Sequence, residues 1–169
     1  MKKIFLLLLY IINICSAEIY FSPYGGTRQE LIRLINSSTQ NIDLAIYSFT
    51  SKELALALVS AAQNNRKIRL LVDKGQLSAK RSVVEWVPKY LEVRYLPIGE
   101  GRGIMHHKFM LIGDSILTTG SYNWTDNAEL FNYENLMVLR DKQTISKFQI
   151  EFNKMWGQAK VIKIISKKQ

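Results

Sequence analysis

The sequence contains a single cysteine, Cys15, and it falls within the first 17 residues. There Lys2-Lys3, the apolar run Ile4 to Ile12 and the small residues Cys15-Ser16-Ala17 follow one another as basic, apolar and cleavage regions. Residues 1–17 are therefore expected to be a signal peptide. The remainder, 18–169, then has no thiol, which excludes disulfides and any cysteine-based zinc site. The apolar run is also shorter than the roughly 20 residues that span a bilayer. Acidic residues are scarce, 14 against 23 Lys and Arg, for a net charge of +9. Losing Lys2 and Lys3 with the leader lowers this to +7. Such a balance favours a polyanionic partner, either nucleic acid or an anionic membrane surface. No compact cluster of carboxylates suggests a magnesium site. No internal repeat is present. With 47% hydrophobic residues, 18–169 is long enough for one folded domain with its own core.

Strand and helix patterns alternate along this domain. Glu18 to Phe21 reads as a strand, followed by a helix over 28–37 opened by a Thr27/Glu30 capping box. Asn41 to Phe49 is apolar enough for an inner strand. A second capping box, Thr50/Glu53, opens a helix from Ser51 to about Asn64. Ile68 to Val72 is the next strand, with Asp73 capping a turn. Residues 80–91 place Val83, Val84, Val87 and Leu91 at helical spacing around Pro88. Val93 to Leu96 and Glu134 to Leu139 are strands. Asp141 caps a last helix with Ile145, Phe148, Phe152 and Trp156 on one stripe, ended by Gly157. The expected fold class is α/β, a mixed central β-sheet flanked by helices. The basic tail, 158–169, has no clear period.

The chemistry concentrates in Met105 to Asn123, MHHKFMLIGDSILTTGSYN. Strand parity puts His106, Lys108 and Met110 on one face, and His107, Phe109 and Leu111 on the other. Gly113-Asp114 turns the chain, and Ser115 to Thr119 returns as a second strand. An imidazole, an ammonium, the Ser121 hydroxyl and the Asn123 amide thus share one end of a hairpin. That set can hold a phosphate and attack it. Asp114 reads as a turn residue, and catalysis is its lesser reading. Tyr122 and Trp124 are core aromatics, part of a dimer contact, or a stacking surface for bases. Arg102, in a glycine-rich loop, is either a solvated charge or a phosphate contact.

The H-x-K pair, the following acid, G-S-x-N, Trp124-Thr125 and Asn132-Tyr133-Glu134-Asn135 together resemble the HKD motif of the phospholipase D superfamily. In particular they resemble its small single-motif endonucleases, the bacterial Nuc type and Zucchini-type relatives. One departure stands out: Gly113 occupies the place of the usual motif Asp, and Asp114 comes one position later. The resemblance implies a metal-independent phosphodiesterase without cofactors. It makes His106 the nucleophile, Lys108, Ser121 and Asn123 phosphate-holding groups, and Glu134 a carboxylate beside the histidine. Because that family builds one site from two motifs, a single-motif chain is expected to work as a homodimer. The expected substrate is nucleic acid, above all single-stranded DNA. The alternatives are a phospholipase or cardiolipin hydrolase, and an inactive nucleic-acid-binding module. Export to the periplasm, outer surface or medium is expected, with weak membrane-surface association of the tail as an option.

Overall fold

The computed structural model describes residues 17–98 and 103–162. The leader up to Ser16, Arg102 and the tail beyond Ile162 lie outside the described residues. Eight strands form one sheet: β1 (Glu18–Ser22), β2 (Ile42–Ile46), β3 (Ile68–Asp73), β4 (Glu92–Leu96), β5 (Lys108–Ile112), β6 (Ile116–Gly120), β7 (Glu134–Leu139) and β8 (Lys160–Val161). Their order is β1-β7-β6-β5-β2-β3-β4-β8. β2, β3 and β4 run parallel, and the other neighbours pair antiparallel. The expected mixed sheet flanked by helices is the observed one. β2 is buried at every position, as its apolar run requires of a central strand.

Helices α1 (Thr27–Ser37) and α2 (Lys52–Gln63) cover one face of the sheet. Leu31, Leu34, Leu54 and Leu58 pack there against Ile42, Leu44, Met110 and Val138. Helix α4 (Lys142–Gln158) covers part of the other face, where Ile145, Phe152 and Trp156 meet Ala45, Leu71, Phe109 and Leu117. A short α3 (Asp126–Leu130), too brief to show a period in sequence, starts at a Thr125 cap.

Several local expectations are corrected. Gly26, in a left-handed conformation at φ 75°, takes the N-cap of α1, and the Thr27 hydroxyl is buried without a partner. Glu30 instead grips Arg33 at 2.7 and 2.6 Å. Ser51, one position after Thr50, caps α2 through Leu54 N. Residues 80–91 form 3-10 turns at Val83–Glu85 and Val87–Lys89, not an α-helix. Pro88 and the positive φ of Arg81 (63°) break the spiral, while Val83, Val84 and Val87 stay buried. Gly157 sits inside α4, which continues to Gln158. Asp141 does cap that helix, accepting from Thr144 N at 2.7 Å.

One polar network fastens α4 to the sheet. Asp43 accepts from Arg69 Nε at 2.6 Å and from Gln149 Nε2 at 2.8 Å. The Arg69 guanidinium lies 4.9 Å from the Phe152 ring centroid. Removing a largely buried partner strands the other charge. Asp43→Ala is therefore expected to cost about 3 kcal/mol, read as a lower urea midpoint with unchanged slope.

Candidate active site

Apart from the turn residues Gly113 and Asp114, the motif residues that the structure describes arrive at one end of the sheet. β5 begins at Lys108 and β6 ends at Gly120, with Phe109 opposite Thr119. Parity holds as expected: Met110 joins the core under α1 and α2, while Phe109 and Leu111 join the core under α4. β7 starts at Glu134, and β2 delivers Tyr47 and Ser48 beside the same edge.

Each side chain has a structural reason for its position. Asp73, at the end of β3, accepts from Gly75 N at 2.8 Å and Met105 N at 2.9 Å, which anchors the approach to His106. The His106 ring is exposed and leans on Tyr47, with centroids 4.5 Å apart. Lys108 Nζ donates to the His106 carbonyl at 2.8 Å and stands 5.1 Å from the Tyr47 centroid. Burial pushes the Lys108 ammonium below the ordinary lysine value, and the nearby Glu134 carboxylate opposes that shift.

Gly120 has no room for a side chain, because a Cβ there would fall 2.1 Å from the Asn135 carbonyl. That close approach lets Ser121 N donate to Asn135 O at 3.1 Å. Ser121 Oγ in turn accepts from Asn135 N at 3.1 Å and from its amide at 3.4 Å, so the hydroxyl proton is left to donate. Asn123 Oδ1 accepts from Ser48 N at 3.2 Å. This fixes the amide and turns its Nδ2 donors outward. The group can therefore present an ammonium, an amide and a hydroxyl to non-bridging oxygens beside a free imidazole. Tyr47, Asp73 and Asn135 position it; in sequence Asp73 was legible as a turn cap, but none of the three had a place at the site. Asn135 had a signal, its place directly after Glu134.

Other expectations are revised here. The Glu134 carboxylate accepts from Asn132 Nδ2 at 3.0 Å, and no hydrogen bond joins it to His106 among the described residues. Its electrostatic neighbour is Lys108. Tyr122 and Trp124 are core residues, 1% and 3% exposed, and cannot stack bases. The Tyr122 hydroxyl donates to Glu129 at 2.7 Å, and burial with that bond pushes its pKa up. Trp124 packs edge-to-face on Phe49, and its carbonyl accepts from Thr50 and Ser51 N at the start of α2. His107 lies off the catalytic face, edge-on to Phe109. Asp114 is exposed in the hairpin turn, at the opposite end of β5 from Lys108.

Gly113 has φ 53° and donates its N–H to Asn41 O at 2.9 Å. A Cβ there would meet Gln40 Oε1 at 1.8 Å. Restoring the usual motif acid is thus expected to harm the turn without helping the site. Gly113→Asp should lower stability by about 1 kcal/mol, checked by denaturant unfolding, with no gain in turnover. Among the described residues, no three or more His, Cys, Asp or Glu side chains gather where they could hold a metal ion.

This fold and this set of groups are those of the phospholipase D superfamily, of the type with a single HKD motif. The chain belongs to the family described as cardiolipin synthase, PLD-like domain, which matches residues 31–156. The structure is similar to that of NucT from Helicobacter pylori, with TM-score 0.81 and 30% identity, covering 87% of this chain and 99% of that one. The fold is shared with Nuc from Salmonella typhimurium, a phospholipase D family member, at TM-score 0.79 and 24% identity, covering 88% and 98% of the two chains. In sequence it is 29% identical over 138 residues to the mitochondrial cardiolipin hydrolase of Homo sapiens, covering 80% of this chain and 54% of that protein. The chain thus spans about half the length of the curated relatives it matches first.

Proposed function

We propose that this protein is an exported, metal-independent endonuclease that cuts DNA, and RNA as a second substrate, with little sequence specificity and a preference for single strands. The observation that carries this reading is the gathering of His106, Lys108, Ser121, Asn123 and Glu134 at one end of the sheet, where β5, β6 and β7 start or finish, in a chain with a single motif. The motif's likeness to Nuc-type endonucleases and the positive charge support nucleic acid as the partner. The leader pattern of residues 1–17 supports export.

The proposed reaction needs two copies of the chain. His106 of one copy attacks phosphorus, forming an N–P bond as the P–O bond to the leaving alkoxide breaks. Protonated His106 of the partner gives its proton to that alkoxide, then takes one from water, which displaces the first histidine and releases the phosphate product. The two histidines thus enter the reaction in opposite protonation states, one neutral and one protonated. Lys108, Asn123 and Ser121 hold the non-bridging oxygens, and Glu134 sustains the ammonium. Contacts of this kind are made to phosphate and carry no base information.

An uncovered surface supports the dimer. Ile19 and Phe21 of β1 share a face with Met137 and Asn135 of β7, opposite to the buried Leu136 and Val138. α4 packs on the β4 and β5 side of that face, and Ile19 and Phe21 remain 53% and 60% exposed. A second copy laid here would bury them beside Ser121.

The second reading is a phospholipid hydrolase. It is favoured by relatives named mitochondrial cardiolipin hydrolase and, in Rickettsia prowazekii, phospholipase D. Incubating the protein in excess EDTA with single- and double-stranded oligonucleotides, and in parallel with cardiolipin dispersions, separates the two. Oligonucleotide products without lipid hydrolysis support the nuclease. The converse overturns it.

A further inference from the structure

A groove of about 490 Å³ opens directly beside His106, between the chain leading into β5 and the C-terminal half of α4. Nothing in the reaction described above uses it. We propose that this groove is a subsite for the base of the nucleotide next to the scissile phosphate, and that it favours bases carrying an amino group. The proposal rests on the nuclease reading and names where that substrate is held.

Its lining has two characters. Ile98, Ile104 and Met155 give apolar surface, and Ile104 is 54% exposed among the described residues. His107, Glu151, Lys154 and Gln158 add polar groups on the remaining sides. Because His106 lines the mouth, whatever occupies the groove is attached to the group under attack.

The two characters together select the occupant. With Glu151 paired to Lys154 the groove has no surplus cation to draw the backbone phosphate; the Lys108 end supplies one. Lys154, also in the lining, donates to Glu151 Oε2 at 3.3 Å and leaves the other carboxylate oxygen to accept from an occupant. An acyl chain would suit the apolar side but would leave the amide and imidazole against hydrocarbon and offer the carboxylate nothing beyond Lys154. A nucleobase is neutral, has a flat apolar face and ends in a polar edge. A carboxylate only accepts, so it pairs with an exocyclic amine such as cytosine N4 or adenine N6 and not with thymine O4. Burial holds the His107 imidazole below the ordinary histidine value. In its neutral form it offers one donor and one acceptor to the same edge.

The test uses the full protein and single-stranded oligonucleotides that differ at one position beside a unique cleavable linkage: cytosine, adenine, thymine or an abasic residue. The wild type is expected to cut beside cytosine or adenine about tenfold faster than beside thymine, in line with one hydrogen bond to a charged group, and slowest beside the abasic residue. Glu151→Gln should bring the cytosine-to-thymine ratio close to one. Ile104→Ser should raise KM for the base-bearing oligonucleotides and narrow their advantage over the abasic one. Both residues sit at the surface, and each ratio is internal to one preparation, so a loss of folded protein cannot imitate the result. Cleavage that is equal beside all four positions, or a Glu151→Gln ratio identical to wild type, overturns the subsite and leaves the nuclease standing. Impaired cardiolipin hydrolysis in Ile104→Ser with untouched oligonucleotide cutting assigns the groove to an acyl chain and also overturns it. Absence of any oligonucleotide cleavage defeats the nuclease reading itself and the subsite with it.

Discussion

Replacing His106 with asparagine is expected to lower oligonucleotide cleavage in excess EDTA by at least about 10⁴-fold, the scale on which removal of a covalent nucleophile acts. Asparagine is polar and fits the exposed position, but its amide nitrogen has no free lone pair with which to bond phosphorus. The ring lies on the surface against Tyr47, so its loss removes one aromatic contact and leaves the core intact. Thermal unfolding of the variant should therefore stay close to wild type while kcat collapses. A denaturing gel after rapid acid-free quenching should show a protein–oligonucleotide adduct for the wild type only. His107→Asn supplies the contrast. That ring stands on the α4 side near Phe109 and should cost less than about tenfold, since it touches only the flanking base in the scheme above. If His107→Asn abolished turnover and His106→Asn spared it, the assignment by strand parity would be wrong.

Parity was also the part of the sequence that spoke most clearly. The alternation through residues 106–111 placed each side chain on the correct face, because a strand admits only two faces and a shift of one residue exchanges them. The strand spans 68–72 and 134–139 were legible from apolar runs bounded by turn residues. Helix starts were harder to read. Thr27 and Thr50 both stand three residues before a glutamate, yet Gly26 and Ser51 hold the caps. In each case the carboxylate is taken elsewhere, Glu30 by Arg33 one helical turn on and Glu53 by Arg28 of another helix, the second of which local sequence cannot show. Residues 80–91 have helical spacing of valines, and burial alone produced that spacing across two 3-10 turns. The aromatics went astray for a similar reason. Tyr122 and Trp124 flank a motif residue, and only the tertiary fold shows that Glu129 and Phe49 draw them inward. The partner of Glu134 was beyond reach as well, since Asn132, two residues away, competes for it.

Placing a carboxylate on the uncovered sheet face is expected to separate the copies and abolish the reaction together. Phe21 projects from the edge strand next to Asn135, the residue that holds Ser121, and its substitution removes nothing from the core of one copy. Phe21→Asp would bury a charge in any interface formed there, a cost of several kcal/mol that a modest homodimer does not survive. Light scattering should then report a monomer, and the rate should fall at least about 10³-fold, because the general acid comes from the second copy. A folded monomer that cuts at the wild-type rate would end the shared-site scheme. Mixing supplies the sharper form of the same argument. If His106→Asn subunits are exchanged into wild-type dimers at equal amounts, random pairing leaves about a quarter of the dimers with both histidines. Activity should fall to about a quarter if both are needed and only to about half if each copy works alone. A quadratic dependence on the wild-type fraction therefore reads out the number of histidines in one site, independently of where the two copies touch.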